Sequence, residues 1–160
     1  MANSENALRT LRLVALDESH LGDLVRIERV SNGAPWSEQA FRNELGHAHG
    51  LFRVALLDGK PVGYAGAWLL VDEAHVTTVA VDPEFRQRGI ARRLMEELLR
   101  EAARRGMTCC TLEVRAGNVA ALALYESMAF VRAALRKGYY PDNREDAVVM
   151  WLYNLTAWAG

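Results

Sequence analysis

Cysteine is nearly absent: the 160 residues contain two, Cys109 and Cys110, side by side. Strand neighbours point to opposite faces, so these two do not bridge one another. No CxxC spacing is present, which removes a zinc ribbon or a redox motif. A reducing, cytoplasmic setting is expected. Apolar runs fall well short of the ~20 residues that span a bilayer, and the N-terminus lacks the basic-then-apolar pattern of a signal peptide. No membrane partner is expected. Charge of one sign is not in excess either: 19 Lys and Arg stand against 20 Asp and Glu, a net charge of −1. This argues against a broad electrostatic footprint for nucleic acid and leaves only a local basic patch open. GxxxxGK[ST] and GxGxxG are both missing, so P-loop and Rossmann readings have no support. His47 and His49 sit at i,i+2 without a third ligand in view and are read as solvated, with no metal. Repeats, low-complexity tracts and linkers are missing as well.

What the chain does have is a mixed α/β pattern. Leu11 to Ala15 reads as a first strand, followed by a helical pattern through Leu21, Leu24, Val25, Ile27 and Glu28. Residues 1–10 read as a loose lead-in. Ser37 is an N-cap for a second helix through Phe41 and Leu45. Residues 52–56 and 62–68 form a hairpin around Asp58-Gly59, a strong turn signal. Ala74 to Val81 is the next strand, and residues 90–105 the best helix. Ile90, Leu94, Leu98 and Ala102 form one stripe of it, with Ala91, Met95 and Leu99 beside them. Gly106 ends it. Cys109 to Val114 is a strand, Asn118 caps a helix to Met128, and strands around 131–138 and 146–153 close the chain. The order is β-α-α-β-β-β-α-β-α-β-β.

The stretch from Val79 to Arg92 joins a β-branched strand to a turn and then to the amphipathic helix. Gly89 permits close backbone approach to a bulky anion. The helix start at Ile90 offers unpaired N–H groups and about half a unit of positive charge. Arg86, Arg88 and Arg92 add full charges, and Gln87 and Ala91 complete the turn. The alternative is a basic, solvated strand-to-helix loop with a turn glycine.

Glu113 lies inside the strand Thr111-Leu112-Glu113-Val114-Arg115, on the face opposite Leu112 and Val114. It is read either as an acid/base group or as a half-exposed glutamate paired with Arg115 or another basic side chain. Tyr125 falls on the stripe Ala121, Leu124, Tyr125 and Met128, and is either a core tyrosine or a functional hydroxyl. Cys109 and Cys110 are small core residues. His75 is left on a strand surface.

Three groups of residues resemble one family. Arg86-x-x-Gly89-x-Ala91 is similar to the Arg/Gln-x-x-Gly-x-Gly/Ala signature of the GCN5-related N-acetyltransferases (GNAT). Leu112-Glu113-Val114-Arg115-Ala116-Gly117-Asn118 with Ala123-Leu124-Tyr125-Glu126-Ser127 resembles the ribosomal-protein-alanine (RimI-type) group. So do Pro35-Trp36-Ser37-Glu38 and Arg136-Lys137-Gly138-Tyr139-Tyr140-Pro141. The resemblance covers roughly residues 11–153.

It implies a single N-acetyltransferase domain over 1–160 with a GNAT fold, a mixed sheet of about seven strands flanked by about four helices. It implies acetyl-CoA as cosubstrate. The pyrophosphate would rest on Arg86, Gln87, Arg88, Gly89, Ile90, Ala91 and Arg92, and the pantetheine arm along Val79, Ala80 and Val81, with Asn118 and Ser127 also in contact. The Val81 N–H would face the thioester oxygen, a placement of a kind that contributes roughly 3 kcal/mol. Glu113 would be the general base and Tyr125 the general acid. Pro35, Trp36, Tyr139 and Tyr140 would wall the groove for the incoming N-terminus, Tyr139 being the better candidate for a hydroxyl on peptide backbone. Trp36 is alternatively a staple under the second helix, and the two tyrosines alternatively hairpin packing. The acceptor implied is the N-terminal amine of a small-subunit ribosomal protein, alanine first. A small-molecule amine acceptor and a non-catalytic acyl-CoA-binding regulator remain the alternatives. Ala2, exposed once Met1 is removed, is itself a candidate acceptor. One departure stands out: Met128-Ala129-Phe130 replaces the usual Gly-Phe, at a position where a positive φ would cost alanine roughly 1 kcal/mol.

Overall fold

Alternating apolar residues and strong turn signals produce the strands and helices in the expected chain order. The computed structural model describes residues 10–160. Most of the expected lead-in, and Ala2 with it, lies outside the described residues. The strands are β1 (Leu11–Ala15), β2 (Gly50–Leu57), β3 (Lys60–Leu70), β4 (Glu73–Val81), β5 (Cys109–Arg115), β6 (Val131–Arg136) and β7 (Ala147–Leu152). The α-helices are α1 (Leu21–Ser31), α2 (Glu38–Arg42), α3 (Ile90–Arg104) and α4 (Val119–Ser127). One seven-stranded sheet runs in the order β1-β2-β3-β4-β5-β7-β6. It is mixed: β4 and β5 pair in parallel, as a crossover through a helix requires, while β1/β2, β5/β7 and β6/β7 are antiparallel.

The chain divides into two compact units, Met1–Ala67 with Thr77–Leu98, and Trp68–Val76 with Leu99–Gly160. In the first, Leu21, Leu24 and Ile27 of α1 meet Phe41, Phe52, Val54 and Tyr64 in one buried cluster. Phe41 is its centre, with ring centroids 5.2 Å from Trp36 and 5.4 Å from Tyr64. Glu28 shares the apolar stripe of α1, four residues after Leu24, and is only 1% exposed. A buried carboxylate is tolerated only when donors surround it. Here the Tyr64 hydroxyl donates to it at 2.6 Å, the Trp36 N–H at 2.9 Å and the Asn32 amide at 3.1 Å. Burial and this carboxylate hold the Tyr64 phenol far above its ordinary pKa. The loop after α1 is thereby fixed to the core. β2 and β3 extend beyond the expected hairpin spans, and Asp58 and Gly59 both take positive φ (51° and 81°), as a tight two-residue turn demands.

α3 buries the expected stripe, with Ile90, Leu94, Leu98 and Ala102 each at most 3% exposed. It ends in a Schellman arrangement: the Met107 N–H donates to the Ala102 carbonyl and the Gly106 N–H to the Ala103 carbonyl, both at 3.0 Å.

In the second unit α4 ends the same way without a glycine. The Phe130 N–H donates to the Tyr125 carbonyl at 3.0 Å and the Ala129 N–H to the Glu126 carbonyl at 3.1 Å. Ala129 sits in the left-handed region at φ 77°. The Phe130 ring closes on Tyr125 at 5.8 Å, the apolar contact that accompanies this cap. The buried face of α4 is Leu122, Tyr125 and Met128; Ala121 and Leu124 are only half-buried. Tyr125 and Met128 of the expected stripe are on this face, and Leu122 takes the place of Ala121. The C-terminal turn Leu155–Ala159 folds back through Leu155, which is fully buried and donates its N–H to the Thr108 carbonyl at 3.1 Å. Trp158 is half-buried in that turn.

Ala129→Gly is expected to raise stability by about 0.5–1 kcal/mol, because glycine occupies the left-handed region without a Cβ clash. Urea unfolding reads this directly; an unchanged midpoint would mean that Ala129 does not store that strain.

Candidate active site

In the first unit, β4 leads into the turn through Asp82. This residue is 5% exposed, accepts the Glu84 N–H at 3.1 Å and pairs with Arg26 at 3.0 Å. Gln87 and Gly89 then both adopt positive φ, 62° and 79°. Left-handed residues at such a turn gather backbone N–H groups into a concavity suited to an anion. The Gly89 carbonyl accepts the Arg93 N–H at 3.1 Å. At a helix start of this kind the first N–H groups, here those of Ile90 and Ala91, have no intrahelical acceptor and can face an anion.

The arginines have distinct tasks. Arg86 donates from Nε to the Val81 carbonyl and from its terminal nitrogen to the Ser31 hydroxyl, both at 3.2 Å. Its guanidinium ties the strand end to α1. Arg88 stacks over Phe85 at 5.1 Å. Along β4, Val79 and Ala80 stay half-exposed while Val81 is buried. The Thr77 hydroxyl on this strand is buried without a hydrogen-bond partner among the described residues. Sequence reading missed Thr77, because an orphaned hydroxyl is visible only once its surroundings are known. An orphan donor on the strand beside an N–H concavity fits a ligand that carries both phosphate and amide groups.

Trp36 precedes the cap residue Ser37, whose hydroxyl accepts the Ala40 N–H at 3.1 Å. Its ring packs on Phe41 four residues into the helix, which is a hydrophobic staple. Pro35 is exposed beside it.

In the second unit, Glu113 stands on β5 and His75 on β4. The parallel register sets His75 opposite Thr111, so Glu113 lies two residues further along the same face. The His75 Nε2 and the Glu113 Oε2 are 2.8 Å apart. The glutamate thus has a basic partner, and it is His75. Arg115 is committed elsewhere: its guanidinium lies 3.1 Å from Asp142 and 3.4 Å from Glu145, and 4.0 Å over the Tyr140 ring. Glu145 also accepts the Gly117 N–H at 2.8 Å, where a Cβ on Gly117 would come within 2.7 Å of the carboxylate. This knot holds residues 137–146 against the end of β5.

Tyr140 is the half-buried member of the tyrosine pair. Burial, countered by Arg115 and reinforced by Tyr139 and Glu113, pushes its phenol up to about 12. Tyr139 is 44% exposed and lies under Arg136, with 5.5 Å to the ring centroid. Tyr139 and Tyr140 themselves meet edge to face, with ring centroids 5.1 Å apart. Tyr125 is 7% exposed, and burial first, then Cys110 and Tyr140, raise its phenol above the ordinary range. Asn118 caps α4 by accepting the Ala121 N–H at 3.1 Å, and the Ser127 hydroxyl donates to the Leu124 carbonyl. Burial pushes the Cys110 thiol up to about 12, so it offers no thiolate nucleophile at neutral pH. His47 accepts the His49 N–H at 3.1 Å and serves its own loop.

Thr77→Val is expected to stabilise the ligand-free protein by about 1 kcal/mol, since an isosteric methyl removes an unsatisfied buried hydroxyl. Denaturant unfolding measures it; a loss of stability would show that the hydroxyl has a partner in solution.

Residues 21–130 match the acetyltransferase (GNAT) family. The [ribosomal protein bS18]-alanine N-acetyltransferase of Escherichia coli K12 is 39% identical over 140 residues, covering 86% of this chain and 94% of that protein. The N-alpha-acetyltransferase RimI of Mycobacterium tuberculosis is 45% identical over 120 residues, 72% of this chain and 74% of that one. The crystal structure of the Escherichia coli ribosomal-protein-S18-alanine N-acetyltransferase superposes with a TM-score of 0.82 at 38% identity, over 89% of this chain and 92% of that one. With the signature Arg86-x-x-Gly89-x-Ala91 on the concavity where a strand meets a helix, the chain belongs to the GNAT acetyltransferase family, in the group that holds the ribosomal-protein-alanine N-acetyltransferases.

Proposed function

We propose that this acyltransferase moves the acetyl group of acetyl-CoA to the α-amine of a protein N-terminus, the N-terminal alanine of a small-subunit ribosomal protein being the acceptor. The chain acts as one domain over 1–160, with its core over about 11–153, in a cytoplasmic setting. The observation that carries this reading is the half-buried carboxylate of Glu113 on β5, held 2.8 Å from His75, with the buried phenol of Tyr125 in the same unit. Such a set can take a proton from an ammonium group and present a donor to a departing sulfur.

Acetyl-CoA supplies an acetyl group activated as a thioester. The backbone N–H groups from Gly89 to Arg92, with Arg88 and Arg92, neutralise its pyrophosphate. Gln87 shapes the turn, and Arg86 holds the turn to α1. Val79, Ala80 and Val81 receive the pantetheine arm by backbone pairing, and Thr77 gains a partner there. The Val81 N–H faces the thioester oxygen as charge builds on it. Asn118 and Ser127 add contacts to the arm. Glu113 serves as the base that frees the amine lone pair. Tyr125, kept protonated by burial, donates to the sulfur as the new C–N bond forms and the C–S bond breaks. Pro35 and Trp36 bind the peptide, as do Tyr139 and Tyr140. Trp36 is held for this by Phe41 and Glu28, and Tyr140 by Arg115. Rigid aromatic side chains give large contact area at low entropic cost.

Mass spectrometry of short peptides that differ in their first two residues, with free lysine and polyamines as competitors, tests the reading. Acetylation confined to peptide α-amines, alanine first, is the expected result. Turnover of a small amine with silence on peptides would move the acceptor to the small-molecule class, and acetyl-CoA binding without any turnover would leave a binding module. Tyr125→Phe is expected to lower kcat by roughly 10²-fold while acetyl-CoA affinity holds. An equal loss in both would return Tyr125 to a packing role.

A further inference from the structure

The strands of the second unit present two unlike faces. On one, Cys110, Leu112, Val114, Met150 and Leu152 are at most 6% exposed. On the other, aromatic side chains reach solvent. A two-residue turn, Val71-Asp72, joins β3 to β4, and hairpin geometry then sets Trp68 opposite His75. His75 is opposite Thr111, Thr111 opposite Trp151, and Trp151 opposite Val131. Paired residues share a face, so these five residues form one row across β3, β4, β5, β7 and β6. Just past the end of β7, Tyr153 stacks on Trp151, with ring centroids 5.9 Å apart. Trp68 is 38% exposed, Val131 49% and Tyr153 65%.

Apolar side chains exposed together, rather than singly, mark a contact surface. Its place and its charge say what it contacts. Glu113 lies on the same face, two residues along β5 from Thr111. At ~3.3 Å per residue and ~4.8 Å per strand, Trp151, Trp68 and Tyr153 are about 8–14 Å from it along the sheet. An extended chain covers that span in about two to four residues.

Residues 68–76, 107–113 and 147–153 carry Asp72, Glu73 and Glu113, and neither lysine nor arginine. Nearby arginines are engaged elsewhere: Arg115 with Asp142 and Glu145, Arg132 with Glu126 at 2.7 Å, and Arg136 over the Tyr139 ring. Aromatic faces edged by carboxylates favour a cationic side chain, which is attracted by both. A second copy of this chain fits poorly, because a two-fold contact would set Asp72 and Glu73 against their own copies.

We infer that this face holds the acceptor protein's chain beyond its acetylated residue, with lysine or arginine at about the third to fifth position seated on Trp68, Trp151 and Tyr153 beside Glu73. The inference rests on the acetyl-transfer reading, since an amine at Glu113 fixes where the acceptor chain starts. The surface binds acceptor and transition state alike, so it lowers KM and leaves kcat as it is.

Two alanine-initiated peptides of about eight residues test this, one with arginine at positions three to five and one with glutamine there. The wild-type chain is expected to show a KM for the arginine peptide about 10-fold below that for the glutamine peptide. Added salt at about 0.3 M should shrink the difference. The double variant Glu73→Gln/Tyr153→Ala, at two exposed positions, should lose the preference, with kcat on either peptide within about twofold of wild type. Equal KM values in wild type, a preference that survives the double variant, or a variant whose kcat falls alike on both peptides would each overturn the inference. So would a wild-type dimer in sedimentation that the double variant abolishes, which would give the face to a second copy. A wild-type chain that acetylates neither peptide overturns the acetyl-transfer reading itself, and wild type alone reveals it.

Discussion

The commitment of Arg115 organises the functional half of the second unit. Its guanidinium joins two carboxylates, Asp142 and Glu145, and one aromatic face, Tyr140. A planar, permanently charged fork is suited to this, since it satisfies carboxylates along its edge and an aromatic ring on its face. Had Arg115 turned back to Glu113 two residues away, the strand would have carried a spent ion pair and the 137–146 loop would have lost its anchor. Instead Glu113 meets His75, and Tyr140 is held under the Arg115 guanidinium.

Glu28 plays the corresponding part in the first unit. A carboxylate at a core position of α1 requires donors, and it draws them from a strand, from its own helix end and from the backbone at Trp36. One buried acceptor thus sets the path of the loop that leads to Trp36. Both units use the same device: a charged side chain with no neutral way out of a crowded site fixes a loop that apolar packing alone would leave free.

Backbone hand does the rest. Gly106 and Ala129 close α3 and α4 with the same pair of hydrogen bonds, and Gln87 and Gly89 open α3 with left-handed turns. At Ala129 the cap forms without the residue that suits it. Phe130 packing on Tyr125 supplies the compensating contact, which also fixes the Tyr125 ring.

Much of this was legible in the sequence because it is local. Periodicity of two or 3.6, the Asp58-Gly59 turn, the Ser37 and Asn118 caps and the Gly106 stop act within a few residues. They therefore fix the elements and their order. The motif around Arg86 and Gly89 and the segment from Leu112 to Tyr125 led to the family by resemblance. Partners across the sheet were not legible, because they depend on register. Whether Glu113 meets Arg115 or His75, and whether Thr77 is left without a donor or acceptor, are decided by which residues come opposite when strands pair. Local pattern settles which chemical groups exist and, for most elements, the face on which they stand. Which of them touch is settled by strand pairing, because a contact between residues 75 and 113 has no local cause and appears only when β4 and β5 come into register.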